Sequence, residues 1–103
     1  MNTFFPEAPK LDLPVNYNDC SPAVRRLVRE EYIRQQKGLC QHCNKLLAGL
    51  PNQEVRDAVI KVELFPPFFF VHPIHLHHNH VTGMTIGAVH ARCNAWLWQF
   101  RGE

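Results

Sequence analysis

What the chain lacks narrows its class. No apolar run is long enough to cross a bilayer. The most apolar stretch, Leu64 to Val71, is short and holds Pro66 and Pro67, whereas a spanning helix needs roughly 20 apolar residues. The first residues, Met1-Asn2-Thr3-Phe4-Phe5-Pro6-Glu7, carry no basic cluster and no apolar core of a secretory leader, which predicts a cytoplasmic chain with no membrane partner. Glycine is scarce, at 5 in 103 residues, and no internal repeat or low-complexity tract is present, which argues against solenoids and flexible linkers. Neither sign of charge dominates: 11 basic against 9 acidic side chains leave +2 at pH 7. That balance permits a polyanionic partner without demanding one. The four cysteines could form two disulfides, but Cys-x-x-Cys in a cytosolic chain is read more readily as a metal site.

What is present suits one small α+β domain. Seven Phe and two Trp within a 46% hydrophobic composition can build a core, though a modest one. Domains of this size often add a metal to reach adequate stability. Histidine is the abundant chemical residue. His75, His77, His78 and His80 lie within six residues, followed by Thr82-Gly83 and, further on, by His90-Ala91-Arg92-Cys93-Asn94. Imidazole binds metals and moves protons near neutral pH, so the cluster points to a metal-dependent reaction centre.

The rest of the chain supplies the frame. Residues 1–20 hold Pro6, Pro9 and Pro14 without periodicity and read as an extended arm over the domain, with Leu11, Leu13 and Val15 alternating as packing candidates. Ser21-Pro22 opens a helix as N-cap and first residue, and Gly38 ends it after about Lys37. Val24, Leu27, Val28 and Tyr32 would form its apolar stripe. Arg25, Arg26 and Arg29 share another face, which either contacts DNA phosphates or is an ordinary solvated basic face. Pro51-Asn52 reads as a turn and cap. Gln53 to Leu64 reads as a short helix, or a helix followed by a strand, and the Phe-rich stretch after it as core leading into a strand. That strand is expected over Val71 to Leu76, paired with Met84 to Val89 across the Thr82-Gly83 turn. A helix follows from Ala91, with Cys93, Trp96, Leu97 and Phe100 on one face.

Cys40-x-x-Cys43 has the spacing of a zinc knuckle, and His90-x-x-Cys93 repeats it. Cys40, Cys43, His90 and Cys93 together make a tetrahedral Zn²⁺ set with no open position, hence structural. The competing assignment makes His90 a core histidine and completes the site with His42 or Cys20; otherwise Cys20 is a free thiol.

The order Cys40-x-x-Cys43, then His77-His78-Asn79-His80-Val81-Thr82-Gly83, then His90-x-x-Cys93-Asn94 resembles the HNH, or ββα-metal (His-Me finger), endonucleases, particularly the phage recombination endonuclease VII type. The resemblance covers about Leu39 to Phe100. It implies a zinc-stabilised ββα-metal domain over residues 21–103 with the arm and first helix added. It implies a DNA endonuclease of phage or mobile-element origin, acting in a bacterial host, that leaves 5′-phosphate and 3′-hydroxyl ends by nicking or double-strand cleavage. By the same resemblance His78 is the general base. His77 and Asn94 hold the catalytic cation, Mg²⁺ or Mn²⁺. His80 contacts the phosphate, and Asn79 holds the loop. Where the family carries an acidic ligand this chain has His77, which shifts preference toward Mn²⁺, Ni²⁺ or Zn²⁺. Ile86 and Leu97 replace a common Arg and an assisting acid, which weakens the case for junction cleavage. Double-strand cleavage would require two sites, as in a homodimer.

Other assignments stand beside this one. The chain could be a non-catalytic, zinc-stapled nucleic-acid-binding module, or a zinc-binding protein-interaction domain using the arm and the Phe-rich segment. His72 and His75 read equally as strand-face residues or auxiliary phosphate contacts, and Trp98, off the apolar stripe, as core or base-stacking.

Overall fold

The computed structural model describes residues 11–103; the tip of the arm, with Pro6 and Pro9, lies outside the described residues. The element order is α1 (Pro22–Gln35), α2 (Gln53–Asp57), β1 (Ile74–His78), β2 (Thr85–His90) and α3 (Ala91–Arg101), with single 3-10 turns at Tyr17–Asp19 and Val62–Leu64. The architecture is small α+β: a two-stranded antiparallel sheet that both α1 and α3 contact. No helix among the described residues is long and apolar enough to cross a membrane.

Helix α1 begins as the sequence predicts. The Ser21 side chain accepts from the Val24 amide, Pro22 fills the first position, and Gly38 takes up the left-handed turn at φ +77°. Its stripe is narrower than expected. Val28 and Tyr32 are buried, but Val24 and Leu27 are exposed, because the sheet beneath has only two strands to cover the helix. The Tyr32 hydroxyl reaches Thr85 Oγ1 at 2.9 Å, which also accepts the Val15 amide at 3.0 Å. One threonine therefore joins helix, hairpin and arm.

The outer edge of β2 is closed by side chain and knuckle rather than by a third strand. Gln36 donates to the Ala88 carbonyl and accepts from the Ala88 amide, both at 2.9 Å, and the Gln41 amide donates to the same carbonyl at 3.0 Å. Gly87 permits that approach: a Cβ there would lie 2.8 Å from Gln36 Oε1 and Gln41 Cγ. Paired edges of this kind leave few free backbone groups for unwanted strand addition.

The strands are displaced from the expected register. β1 begins at Ile74, so His77 and His78 lie inside the strand rather than beyond it, and β2 runs to His90. His77 opposes Gly87 but His78 opposes Thr85, so two residues of β2 face one of β1 in a bulge at Ile86. A bulge turns the side chains beside it away from simple alternation. The turn itself uses Gly83 at φ +79°. A Cβ there would strike Asn16 Oδ1 at 2.6 Å, because residues 15–17 of the arm are hydrogen-bonded along the hairpin end.

Asn52 caps α2 as predicted, and of the two readings of Gln53 to Leu64 the short helix holds, over Gln53–Asp57, with no strand after it. The backbone from residue 58 onward is held instead by side chains of α3. Arg92 donates to the carbonyls of Val55 at 3.0 Å and Ala58 at 2.7 Å, and Gln99 pairs with the Lys61 amide and the Val59 carbonyl. The Phe-rich stretch is a run of turns rather than core: Leu64, Phe68, Phe70 and Val71 are exposed. On α3, Cys93, Trp96 and Leu97 are buried while Phe100 is half exposed, since the helix extends past the sheet.

Candidate metal centre and histidine cavity

The ligand atoms of Cys40, Cys43, His90 and Cys93 all lie within 4.8 Å of one another. The local backbone explains why. Leu39 and Leu46 pair as a bridge, the Cys40 amide donates to Lys45 O at 2.8 Å, and Asn44 turns through φ +60°. This tight loop aims both thiols at one point. The other pair comes from the junction where β2 ends and α3 begins, His90 being the N-terminal boundary residue of the helix. His90 Nε2 lies 2.8 Å from the Leu46 carbonyl. A carbonyl only accepts, so Nε2 carries the proton. Nδ1 therefore presents its lone pair to Cys93 Sγ at 3.5 Å and Cys43 Sγ at 3.6 Å. Fixing a ligating imidazole by a bond to its other nitrogen is the usual outer support of a metal site.

Electrostatics agree. The Cys40 thiol is drawn down to about 4 by the hydrogen bond from Cys93 and by the backbone amides of Cys43, His90 and His42, against the cost of burial. The Cys93 thiol is pushed up by that same hydrogen bond to Cys40 and by burial. Without a cation only part of the set can ionise; a divalent ion would remove the conflict. Three sulfurs and one imidazole nitrogen suit zinc. Cys20 is not part of this group; its thiol lies 3.3 Å from the Asn16 carbonyl. His42 instead packs its ring against Trp96 at 5.2 Å.

Behind this centre, the first turn of α3 carries Asn94 toward β1. Asn94 Nδ2 lies 3.1 Å from His75 Nδ1, and His75 Nε2 lies 2.7 Å from the Phe69 carbonyl. The same reasoning fixes the tautomer: Nε2 is protonated and Nδ1 accepts. Burial holds His75 below the usual histidine range, so it stays neutral. Asn94 is thereby oriented amide-first toward His75, which leaves Oδ1 to accept, and the same side chain is a hydrogen-bond partner of His77. His75 is thus a fixed, hydrogen-bonded residue rather than a loose phosphate contact.

His77 lies on the same side of the strand and is 2% exposed. Its Nδ1 is buried without a hydrogen-bond partner among the described residues. Desolvation holds its pKa down, opposed by the Glu103 charge and the Asn94 side chain. An unpaired buried nitrogen costs about 1–3 kcal/mol.

His78, past the bulge, faces the other way. Its ring stacks on Tyr17 with centroids 3.9 Å apart and planes 7° off parallel, and it approaches His80 at 4.8 Å. The Arg25 guanidinium covers Tyr17 at 3.8 Å and donates to the Tyr17 carbonyl at 3.0 Å. Burial, then the His80 charge, lowers the His78 pKa. Asn79 holds the loop: its Oδ1 accepts from the Val81 amide at 2.8 Å and the Thr82 amide at 2.9 Å. His80 is exposed at the rim.

His75, His78, His80 and Asn94 border a cavity of about 430 Å³ together with Tyr17, Arg25, Arg29 and His72; His77 and Asn79 do not line it and border a separate, smaller pocket beside Glu103. Of the three α1 arginines expected to share a face, Arg25 and Arg29 face it. Arg26 does not; it sits 3.9 Å from Glu30 on the solvent side, one residue out of step with the i, i+4 pair. No carboxylate lines the cavity, so it is suited to an anion. Tyr17 was not foreseen, since nothing local marks a residue sixty positions from the histidines. His75 had a signal in its two-residue spacing from His77.

No known protein family matches the chain, and neither a curated protein nor a solved structure shows detectable similarity to it.

Proposed function

We propose that this chain is a metal-dependent DNA endonuclease of the HNH, or ββα-metal, type, stabilised by a structural zinc at Cys40, Cys43, His90 and Cys93. The observation that carries the reading is the buried Nδ1 of His77, which has no hydrogen-bond partner among the described residues, on a side chain that also bonds Asn94. Asn94 borders the cationic cavity together with His78, the residue after His77. Hydrolysis of a phosphodiester requires a base for water, charge stabilisation at the phosphate and a grip on the strand. The sequence order of these same residues, and its resemblance to the HNH family, supports assigning the three roles here.

His77 and Asn94 would hold the divalent cation. When bound, it would supply stabilisation for the charge that develops on the phosphate and on the leaving oxygen. His78 takes the proton from the attacking water. Its lowered pKa keeps it neutral, and therefore competent, at pH 7. Stacking on Tyr17 restricts the ring to one orientation. Arg25 and Arg29 grip phosphates flanking the scissile one, so binding weakens with salt. His75 holds the Asn94 amide so that Oδ1 is not lost to rotation. Asn79 keeps the His78–His80 segment in place.

Supercoiled plasmid with Mg²⁺ or Mn²⁺ tests this directly. The parent chain nicks it, chelation stops the reaction, and a folded, zinc-loaded His78→Ala variant is inactive. If neither protein cleaves while both bind DNA, the reading fails and a non-catalytic nucleic-acid-binding module takes its place.

A further inference from the structure

A second pocket, of about 250 Å³, adjoins the histidine cavity and shares three of its residues, Phe69, His80 and Asn94. Its walls are aromatic. Phe65 meets Trp98 edge-on at 5.3 Å and Phe69 at 4.7 Å. Trp98 is 44% exposed although it sits on a helix whose neighbours Trp96 and Leu97 are core. It lies four residues after Asn94, so one face of α3 presents both side chains. His80 and Asn94 form a ridge with the arginines on one side and these rings on the other.

We infer that this pocket receives one unpaired nucleobase of a DNA strand whose adjacent phosphate sits at His78 and Asn94. The inference rests on the endonuclease reading and narrows its substrate. A nucleotide is itself an anion joined to a flat, largely apolar ring, and the two pockets repeat that division across a single ridge. The volume is below the roughly 300–1,000 Å³ of a site for a drug-sized molecule, which suits a single ring system. No acidic side chain lines it. A base stacked in a duplex has both faces covered, so it must leave the stack to enter. That step is easiest for a single-stranded, mismatched or branch-point nucleotide. The substrate class is therefore DNA with an unpaired base next to the cleaved bond.

The test measures binding, so it does not depend on turnover. The full, zinc-loaded chain carrying His78→Ala is titrated by fluorescence anisotropy, with Mg²⁺ present, against a short labelled single strand. The comparison strand has the same length with every base removed. The base-bearing strand should bind about fivefold to a hundredfold tighter, the range of one aromatic–base stack. Adding Trp98→Ala should erase that difference and leave the abasic affinity and its salt dependence unchanged, while Trp98→Phe should preserve much of it. Zinc content and circular dichroism confirm that each variant is folded. Equal affinity for the two strands overturns the base pocket alone, leaving the aromatic surface for a protein. Failure to bind either strand overturns the endonuclease reading and this inference with it.

Discussion

Removing the metal from Cys40, Cys43, His90 and Cys93 should unfold the protein rather than soften it. The four ligands join three separate pieces: the knuckle, the end of β2 and the first turn of α3. Cys40 and Cys93 have no exposed surface and belong to the apolar core cluster themselves. The remaining fully buried apolar side chains are few, chiefly Val28, Val55, Ala88 and Val89 with Tyr32, Leu47, Leu76, Trp96 and Leu97. A structural zinc in a small domain contributes about 10–16 kcal/mol at neutral pH. The whole stability of a domain is typically about 5–15 kcal/mol, so losing the ion removes at least most of it. Trp96 is a built-in reporter, being 7% exposed and packed on His42 of the knuckle. Chelator titration followed by tryptophan emission and far-ultraviolet circular dichroism should show a red shift and loss of helix together, with one zinc released per chain. Cys93→Ser should behave like the chelated protein. A zinc-free chain that still melts cooperatively within a few degrees of the parent would refute the reasoning.

Three further outcomes follow from particular contacts. Thr85→Val strips Tyr32 and Val15 of their shared hydrogen-bond partner and should cost about 1–3 kcal/mol in urea unfolding; no loss would mean that water replaces the threonine. In the proposed mechanism cleavage needs neutral His78, whose pKa lies below the usual histidine value. Activity should therefore persist at neutral pH and fall only as pH drops below about 6.5, whereas a decline beginning above pH 7 would assign the base elsewhere. His75→Ala should raise the Mn²⁺ concentration for half-maximal cleavage about tenfold or more without changing DNA affinity in the absence of divalent cation. Combining it with Asn94→Ala should add nothing, and additive losses would separate the two residues.

The zinc set was legible in the chain because its chemistry is local: two pairs, each with two residues between, need only a tight turn or one helical turn to converge. The caps of α1 and α2 were legible for the same reason, since Ser21 and Asn52 act within three residues of themselves. Strand ends were not. The alternation along β1 sends His77 inward and His78 outward, but which residues belong to β1, and which face is the inner one, depends on how the helices, the knuckle and the arm pack on the hairpin. The Phe-rich stretch misled because apolar composition predicts burial only where something is present to bury against; here the sheet ends first. By itself, then, the order of residues determined a small α+β chain with a metal knuckle and a histidine-rich hairpin. Only the tertiary structure decided which histidines are free to act. His75 is tied to Phe69 and Asn94, His90 to Leu46, and His77 is left with a buried nitrogen unpaired, because hydrogen-bond partners remote in sequence are assigned only when the chain closes on itself.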